Sequence, residues 1–149
     1  MPKILVFAPC IKTIGDAEDG SLSVINVLTG ITVALTEDAR PDTKFISPIV
    51  WSVGILWGRQ PEDEGQRYEQ RLTLVEPDGY VGVSVPSIVV MTTPAVRSIS
   101  NVHGFPTSAD GICTVRLELR NITEEMKERP WREIATFPIT VTLRPTTPS

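Results

Sequence analysis

The sequence predicts an all-β protein, an antiparallel β-sandwich of about seven or eight strands. Apolar and polar residues alternate from Gly111 to Arg120, as they do in a strand with one buried and one solvent-exposed face. Similar apolar runs recur along the chain and are separated by turns rich in Pro, Gly and Asp. No segment has the apolar period of a long helix, and a single helical turn near residues 123–129 is expected.

Length and charge limit the organisation and the partners. A chain of 149 residues has the size of one domain and buries enough surface for a core without metal or disulfide support. We expect one domain over residues 1–143 and an extended, Pro-containing tail over 144–149. The net charge is −4, with basic residues scattered among the acidic ones, which argues against nucleic acid and against an anionic membrane as partners.

The first two predicted strands are Lys3–Ile11 and Ser21–Val33. The first is apolar on both faces, as a well-covered strand is. The second is rich in β-branched residues and is interrupted at Thr29–Gly30. It also contains Asn26, whose amide needs hydrogen-bond partners if it is buried. Residues 36–44 are expected to form a loop.

The strand Phe45–Gly58 is the most apolar element. Its heavy side chains alternate with Pro48, Ser52, Gly54 and Gly58. The small residues predict a bend, a bulge or the close approach of another backbone. Because Pro48 has no amide hydrogen, its end of the strand is expected at a sheet edge or in a bulge.

Five strands are predicted in the second half: Gln66–Glu76, Val81–Val90 with a break at Pro86, Ala95–Phe105, Gly111–Arg120 and Trp131–Leu143. In the last strand the large apolar side chains share one face, and Glu133 is the exception on that face. We expect the last two strands to pair through a long loop that contains the helical turn, since Thr123 can cap a helix and acidic residues follow it.

The three tryptophans are the candidate ligand-binding residues. Trp51 and Trp57 share one face of a strand and can form either an aromatic platform for a sugar or peptide or part of the core. Val53 and Ile55 lie on the same face, which favours the core. Trp131 follows Pro130 and is the better candidate for a partly exposed aromatic side chain.

Acidic turns provide weak candidates for a calcium site. Asp16, Glu18 and Asp19 lie in one turn, and Asp78 and Asp110 lie in two others. Calcium requires several converging oxygen ligands, whereas Asp and Gly also form turns by local backbone chemistry alone. The turn interpretation is favoured, and no metal or other cofactor is expected.

Motifs for catalysis are absent from the sequence. His103 is the single histidine, and neither a nucleophile elbow, a zinc-ligand set nor a phosphate-binding loop accompanies it. A solvated histidine is therefore favoured over a catalytic one. Cys10 and Cys113 both lie in predicted strands, and two buried free thiols are favoured over a disulfide in a reducing compartment.

Targeting signals are also missing. The apolar segment Ile4–Ile11 is too short to cross a bilayer and lacks the cleavage site of a signal peptide. We expect a cytoplasmic protein, with association with a virion as a further possibility.

Two segments resemble known sequence patterns. Asp19–Ile31 resembles the opening of a group of uncharacterised bacterial proteins, in which a glycine and a serine-containing strand lead to a hydrophobic motif ending in Gly-Ile. Phe105–Gly111 and the strand after it resemble the Phe-Pro and Gly pattern of that group and of C2-like or immunoglobulin-like sandwiches. Ile112 stands where that pattern often has an aromatic residue, and the paired Asp-x-Asp of calcium-binding C2 domains is missing. The resemblance implies a sandwich fold and no active site.

The functional expectation follows from the fold. We expect a non-enzymatic β-sandwich that acts through protein–protein contacts, as a homo-oligomer or as a component of a phage or secretion-type assembly, because open sheet edges pair with other chains unless they are protected. The Pro-containing tail is expected to lie along such a neighbour. The alternative is a module that binds a carbohydrate or another small ligand through its tryptophans.

Overall fold

The fold of the chain comes from a computed structural model that describes residues 1–35, 45–107, 109–124 and 129–145. Within these residues it is nearly all β, with one 3-10 turn at Pro61–Asp63 and no α-helix. This confirms the all-β prediction. The strands are β1 Lys3–Gly15, β2 Leu22–Val27, β3 Gly30–Leu35, β4 Phe45–Gly58, β5 Arg67–Val75, β6 Val81–Val83, β7 Ser87–Val90, β8 Ala95–Thr107, β9 Gly111–Asn121 and β10 Arg132–Pro145.

The strands form two sheets. The smaller sheet has the order β2-β1-β4-β8, and the larger sheet has the order β3-β10-β9-β5-β6, with β7 also pairing with β5. The larger sheet curls into a half-barrel. The predicted antiparallel pairing of the last two strands is confirmed in β9 and β10. The fold is not antiparallel throughout, however, because β3 pairs with β10 in parallel, from Gly30 opposite Thr140 to Leu35 opposite Pro145.

The segment predicted as one interrupted strand, Ser21–Val33, forms two strands in different sheets. Asn26, one residue before the end of β2, has a φ of 55° and is exposed, so its amide does not need a buried partner. The amide of Leu28 then bonds the carbonyl of Pro9, and the carbonyl of Thr29 accepts from the amide of Thr140. The crossing segment is thereby bonded to one strand of each sheet.

The predicted bulge in β4 is confirmed, whereas the atoms close to its central glycine belong to side chains and not to another backbone. The register with β8 shifts between Ser47 and Val50, which places a bulge at Pro48. A Cβ atom added to Gly54 would lie 3.0 Å from a methyl of Val24, so the β1–β2 hairpin packs closely over this strand.

The start of β10 differs from the sequence prediction. A register shift between Glu133 and Ala135 inserts one extra residue and reverses the side-chain parity. Glu133 therefore lies opposite Glu118 on the outer face of the sheet, and not among the apolar side chains. At the other end the strand continues to Pro145, two residues into the expected tail. Residues 125–128 of the expected helical turn, the loop 36–44 and the tail residues 146–149 lie outside the described residues.

One hydrophobic core draws side chains from both sheets. Its largest fully buried members include Trp57 and Ile55 of β4, Phe105 of β8 and Leu117 of β9. Trp57 also joins the sheets through a hydrogen bond, since its Nε1 donates to Oε1 of Gln70 at 2.9 Å. An unpaired buried indole N–H would cost about 1–3 kcal/mol, so this bond allows the ring to lie at the centre of the core.

Candidate interaction surface

The outer edge of the larger sheet exposes a continuous run of apolar side chains. We define the uncharged edge as residues Tyr80–Val90, which include β6, β7 and the segment between them. Both strands pair with β5 and with no other described strand. The sequence has no charged residue between Asp78 and Arg97. The exposed fractions are Tyr80 53%, Val81 47%, Val83 55%, Val85 89%, Ile88 55% and Val90 37%.

Local sequence explains why this edge is short and interrupted. Gly79 has a φ of +88°, a conformation that suits glycine, and forms the turn from β5 into β6. Pro86 cannot donate a backbone hydrogen bond and separates β6 from β7, as the sequence predicted. Natural edge strands are commonly protected by lysine or by inward-pointing charges. This edge has the Pro and the short strands but none of the charges.

An apolar groove lies beneath the uncharged edge, between the two sheets. Its cavity volume is about 210 Å³, and it is lined from the smaller sheet by Trp51 and Val102 and from the larger sheet by Leu74 and Val115. Gly82 of β6 lies opposite Leu74. A Cβ atom added to Gly82 would have no atom within 4 Å. The groove is therefore open because β6 has no side chain at the position that faces it.

Polar atoms along the groove already have partners inside the protein. Trp51 Nε1 donates to the carbonyl of Gly104 at 2.9 Å, and the hydroxyl of Ser84 accepts from the amide of Leu72 at 2.8 Å. Thr73 Oγ1 donates to Glu118 at 2.5 Å. The lining contains no charged residue. The groove consequently offers apolar surface and no polar group that requires a ligand.

The buried tryptophans occupy the positions that the core interpretation favoured. Trp57 has no exposed surface, and Trp51 is 3% exposed. Trp51 packs against the ring of Phe105, with ring centroids 5.5 Å apart and planes tilted by 55°. Trp51 nevertheless reaches the groove, whereas Trp57 serves only the core.

Trp131 lies over the outer face of the larger sheet, next to a group of four charged side chains. Arg71 and Glu118 are directly opposite each other on β5 and β9, and so are Glu69 and Arg120. Arg71 Nε lies 2.7 Å from Glu118, and Arg120 lies 2.6 Å from Glu69. The guanidinium carbons of the two arginines lie 4.3 and 4.4 Å from the centroid of the Trp131 ring. We call these five residues the charged face.

The charged face satisfies its own charges. Burial raises the pKa of Glu118, but the hydrogen bonds from Arg71 and Thr73 outweigh burial and hold this pKa below its usual value. The π surface of Trp131 is already in contact with cations, so a sugar ring would have to compete with two guanidinium groups for it. The alternation of the sequence predicted that Trp131 lies on the core face of the last strand, and this is wrong. The register shift between Glu133 and Ala135 reverses the alternation and places Trp131 on the outer face.

The acidic turn residues accept backbone hydrogen bonds, three of them within their own turns and Asp110 from β10. Asp16 Oδ1 accepts from the amide of Glu18 at 2.7 Å, and Asp19 Oδ1 accepts from the amide of Ser21 at 2.8 Å. These hydrogen bonds from Ser21 lower the pKa of Asp19. Asp78 similarly accepts from the amide of Tyr80, and Asp110 accepts from the amide of Leu143. Within the described residues, no group of three or more His, Cys, Asp or Glu side chains could hold a metal ion.

The single histidine and the two cysteines, the other residues with potential catalytic chemistry, lie on three different strands. His103 is exposed on β8, opposite Val50 of β4. Cys10 in the smaller sheet and Cys113 in the larger sheet are both buried and free, as the sequence favoured. Burial, with a smaller contribution from Glu76, raises the pKa of the Cys113 thiol to about 12. This thiol is therefore protonated and unreactive at neutral pH.

A buried carboxylate that sequence reasoning did not single out supports the 3-10 turn. Asp63 is 1% exposed and accepts from the hydroxyl of Tyr68 at 2.6 Å and from the amide of Gln60 at 3.0 Å. The N-terminal ammonium group lies 3.1 Å away. Burial raises the pKa of Asp63, but these contacts together lower it below its usual value. Asp63 is fully engaged in holding the turn to β5.

Comparisons with known proteins give no family to which the chain can be assigned. No protein-family model matches the sequence, and no curated protein shows significant similarity to it. Among the described residues, no helix is long and apolar enough to cross a membrane.

Sequence reasoning missed both surfaces described above, although each left a signal. The long interval without charge between Asp78 and Arg97 marks the uncharged edge. The alternating charges of β5 and β9 mark the charged face. Neither signal shows which strands are neighbours, so their meaning depends on the sheet order.

Proposed function

We propose that this protein is non-enzymatic and acts through protein–protein contacts, with the uncharged edge as the surface by which two copies associate. The observation that carries the proposal is the combination of open edge strands and exposed apolar side chains without any charge over Tyr80–Val90. Monomeric soluble proteins rarely expose contiguous apolar patches larger than a few hundred Å².

Two-fold symmetry explains why the missing charge favours self-association. A two-fold contact places the same surface of both copies together, so a charge near the axis meets an identical charge. Like charges directly opposite each other across paired strands are destabilising. The uncharged edge avoids this cost although each chain has a net charge of −4. Open backbone N–H and C=O groups of β6 and β7 can then bond their symmetry equivalents.

The finer description of the fold belongs to the same proposal. We regard the two sheets as a β-sandwich of C2-like or immunoglobulin-like type, supported by the single core to which both sheets contribute. In this view the protein is a cytoplasmic or virion-associated structural component, of a phage or secretion-type assembly, that is built from copies of itself and neighbouring proteins.

The oligomeric state of the full chain tests the proposal. We expect a dimer by size-exclusion chromatography with light scattering, and at least about a tenfold weaker dimer for Ile88→Lys, because association would remove the charged ammonium group from water. Ile88 lies opposite Glu69, so the new lysine has a carboxylate nearby and the fold should persist.

Ile112→Lys is the matched control. Ile112 is 60% exposed, close to the 55% of Ile88, but lies on β9 and outside the uncharged edge. This variant should dimerise like the wild type. A wild-type monomer at about 100 μM, a concentration at which even weak micromolar contacts are populated, would contradict the proposal. Equal effects of the two lysines would locate the contact elsewhere.

A further inference from the structure

We propose that the apolar groove beneath β6 receives an apolar side chain from a second copy of this chain, so that the contact between copies is anchored by insertion. The inference rests on the proposed function, because it assigns the groove to the same self-contact. The inference adds a specific binding site, the groove with Gly82 at its opening, to the contact between copies. Without the groove, the two edges would associate only through backbone hydrogen bonds and surface contacts between apolar side chains.

The size of the groove suits a side chain. Its cavity volume is about 210 Å³. Dry apolar cavities of about 150 Å³ are known to hold a benzene molecule, so this groove can hold a branched aliphatic or aromatic group. Leaving the groove to water is unfavourable, because a lining of Leu74, Val102 and Val115 offers water few hydrogen-bond partners.

The chemistry of the lining selects an uncharged, apolar occupant. The indole N–H of Trp51 and the hydroxyl of Ser84 are engaged in internal hydrogen bonds. A polar group entering the groove would lose its hydration against a mainly apolar lining, at a cost of about 1–3 kcal/mol on mutational evidence from other proteins. An apolar side chain avoids this cost and gains burial.

The position of the groove identifies the second copy as the source of that side chain. Gly82 and Val83 line the groove and belong to the uncharged edge, so the two surfaces are continuous. The edge of a second copy matches the groove in charge, because neither surface has any. It also presents protruding side chains, of which Val85 is 89% exposed. A two-fold contact therefore brings an apolar, uncharged donor to each groove.

Filling the groove from within tests the inference. Gly82→Leu places a side chain where an added Cβ meets no atom within 4 Å, and its backbone does not require glycine. The variant should fold with an unchanged or higher Tm, because the leucine is buried against the lining. We expect its dimer dissociation constant, measured by sedimentation equilibrium, to rise at least about tenfold. The matched control is Val81→Leu, which adds a methylene to a neighbouring side chain of the edge that does not line the groove and should change the constant less than about threefold.

Nuclear Overhauser effects provide a direct measurement. In a mixture of labelled and unlabelled wild-type chains, the methyl groups of Leu74 and Val115 should show contacts to protons of the other copy. Such contacts, together with the weakened dimer of Gly82→Leu, support insertion. A Gly82→Leu dimer as tight as the wild type, or the absence of contacts at these methyls in a mixed dimer, overturns the groove as the anchor and leaves the edge contact standing. A monomeric wild type overturns both.

Discussion

The charged face extends from β5 to β9, and the uncharged edge pairs with the other side of β5. The two surfaces differ in whether their side chains have partners within the chain. On the β9 side, each carboxylate of β5 or β9 has an arginine directly opposite, and Trp131 covers both arginines. On the β6 and β7 side, apolar side chains are exposed to solvent at a sheet edge that has no further described strand beside it. The first surface is complete within one chain. The second becomes complete only when another molecule covers it.

The contrast between the charged face and the uncharged edge shows that the solvent exposure of a single side chain does not indicate a binding site. Trp131 was the best sequence candidate for a ligand platform, yet its ring is already occupied by Arg71 and Arg120. Isolated valines and isoleucines on a protein surface are ordinary. Their concentration on two short edge strands, with no charge among them, is the feature that requires a partner.

The largest expected effect on the folding of a single chain comes from breaking the charged face at Glu118. Glu118→Ala leaves Arg71 and Thr73 without their shared acceptor in a largely buried site, and we expect a loss of about 2 kcal/mol in the free energy of unfolding. Urea denaturation measures the loss. Glu133→Ala is the control, since Glu133 is an exposed partner of Arg116 and should cost less than about 1 kcal/mol. Equal losses would show that the charged face adds no more than an ordinary surface pair.

The same carboxylate predicts a pH dependence. Because the pKa of Glu118 is lowered in the folded state, its contribution is fully present above the unfolded pKa of about 4.3 and is lost as the pH falls through the folded value. Glu118→Gln should therefore lose stability relative to the wild type near neutral pH and approach it in acid. Unfolding free energies measured from about pH 6 to about pH 3 test this. Parallel curves for the two proteins would contradict it.

A smaller effect is expected from removing the cover of the charged face. Trp131→Ala deletes two cation–π contacts at a half-exposed site, and we expect a loss of about 1 kcal/mol. Trp131→Phe keeps an aromatic ring and should lose about half as much. If neither substitution changes the urea midpoint, the ring is not part of the stabilised surface and is free to bind a ligand.

The smallest expected effect is that of salt concentration. Added salt should weaken the contribution of the charged face to folding but strengthen dimerisation through the uncharged edge. Raising NaCl from about 0.05 to about 0.5 M screens the ion pairs of the charged face and should slightly weaken their contribution to folding. The same change screens the repulsion between two copies of net charge −4 and leaves the uncharged contact intact, so the dimer should tighten by about two- to fivefold. Sedimentation equilibrium at both salt concentrations measures it. A dimer that weakens in salt would indicate a charged contact.

Several structural features could be read from local sequence. Alternation identified the strands, and the pairing of Gly111–Arg120 with the final strand follows from their order along the chain. The bulge at Pro48 follows from a missing amide hydrogen, and the burial of Trp57 follows from its apolar neighbours. These features depend on residues close in sequence or on a single backbone group.

Other features could not be read in this way. Glu133 and Trp131 were assigned to the wrong face because one inserted residue reverses the alternation of β10, and nothing local marks the insertion. The parallel pair of β3 and β10 joins residues from opposite ends of the chain. The uncharged interval after Asp78 was visible, but its exposure required knowing that β6 and β7 have a neighbour on one side only.

The sequence by itself determined an all-β chain, most of its strands and the core face of β4, because alternation and turn chemistry act over a few residues. Only the tertiary structure decided which surfaces are complete and which are open. The groove at Gly82 shows the physical reason: a glycine in a strand becomes an opening only when the facing side chains, Leu74 from its own sheet and Trp51 from the other, are brought around it. Such contacts are set by sheet order, which the local pattern of side chains does not specify.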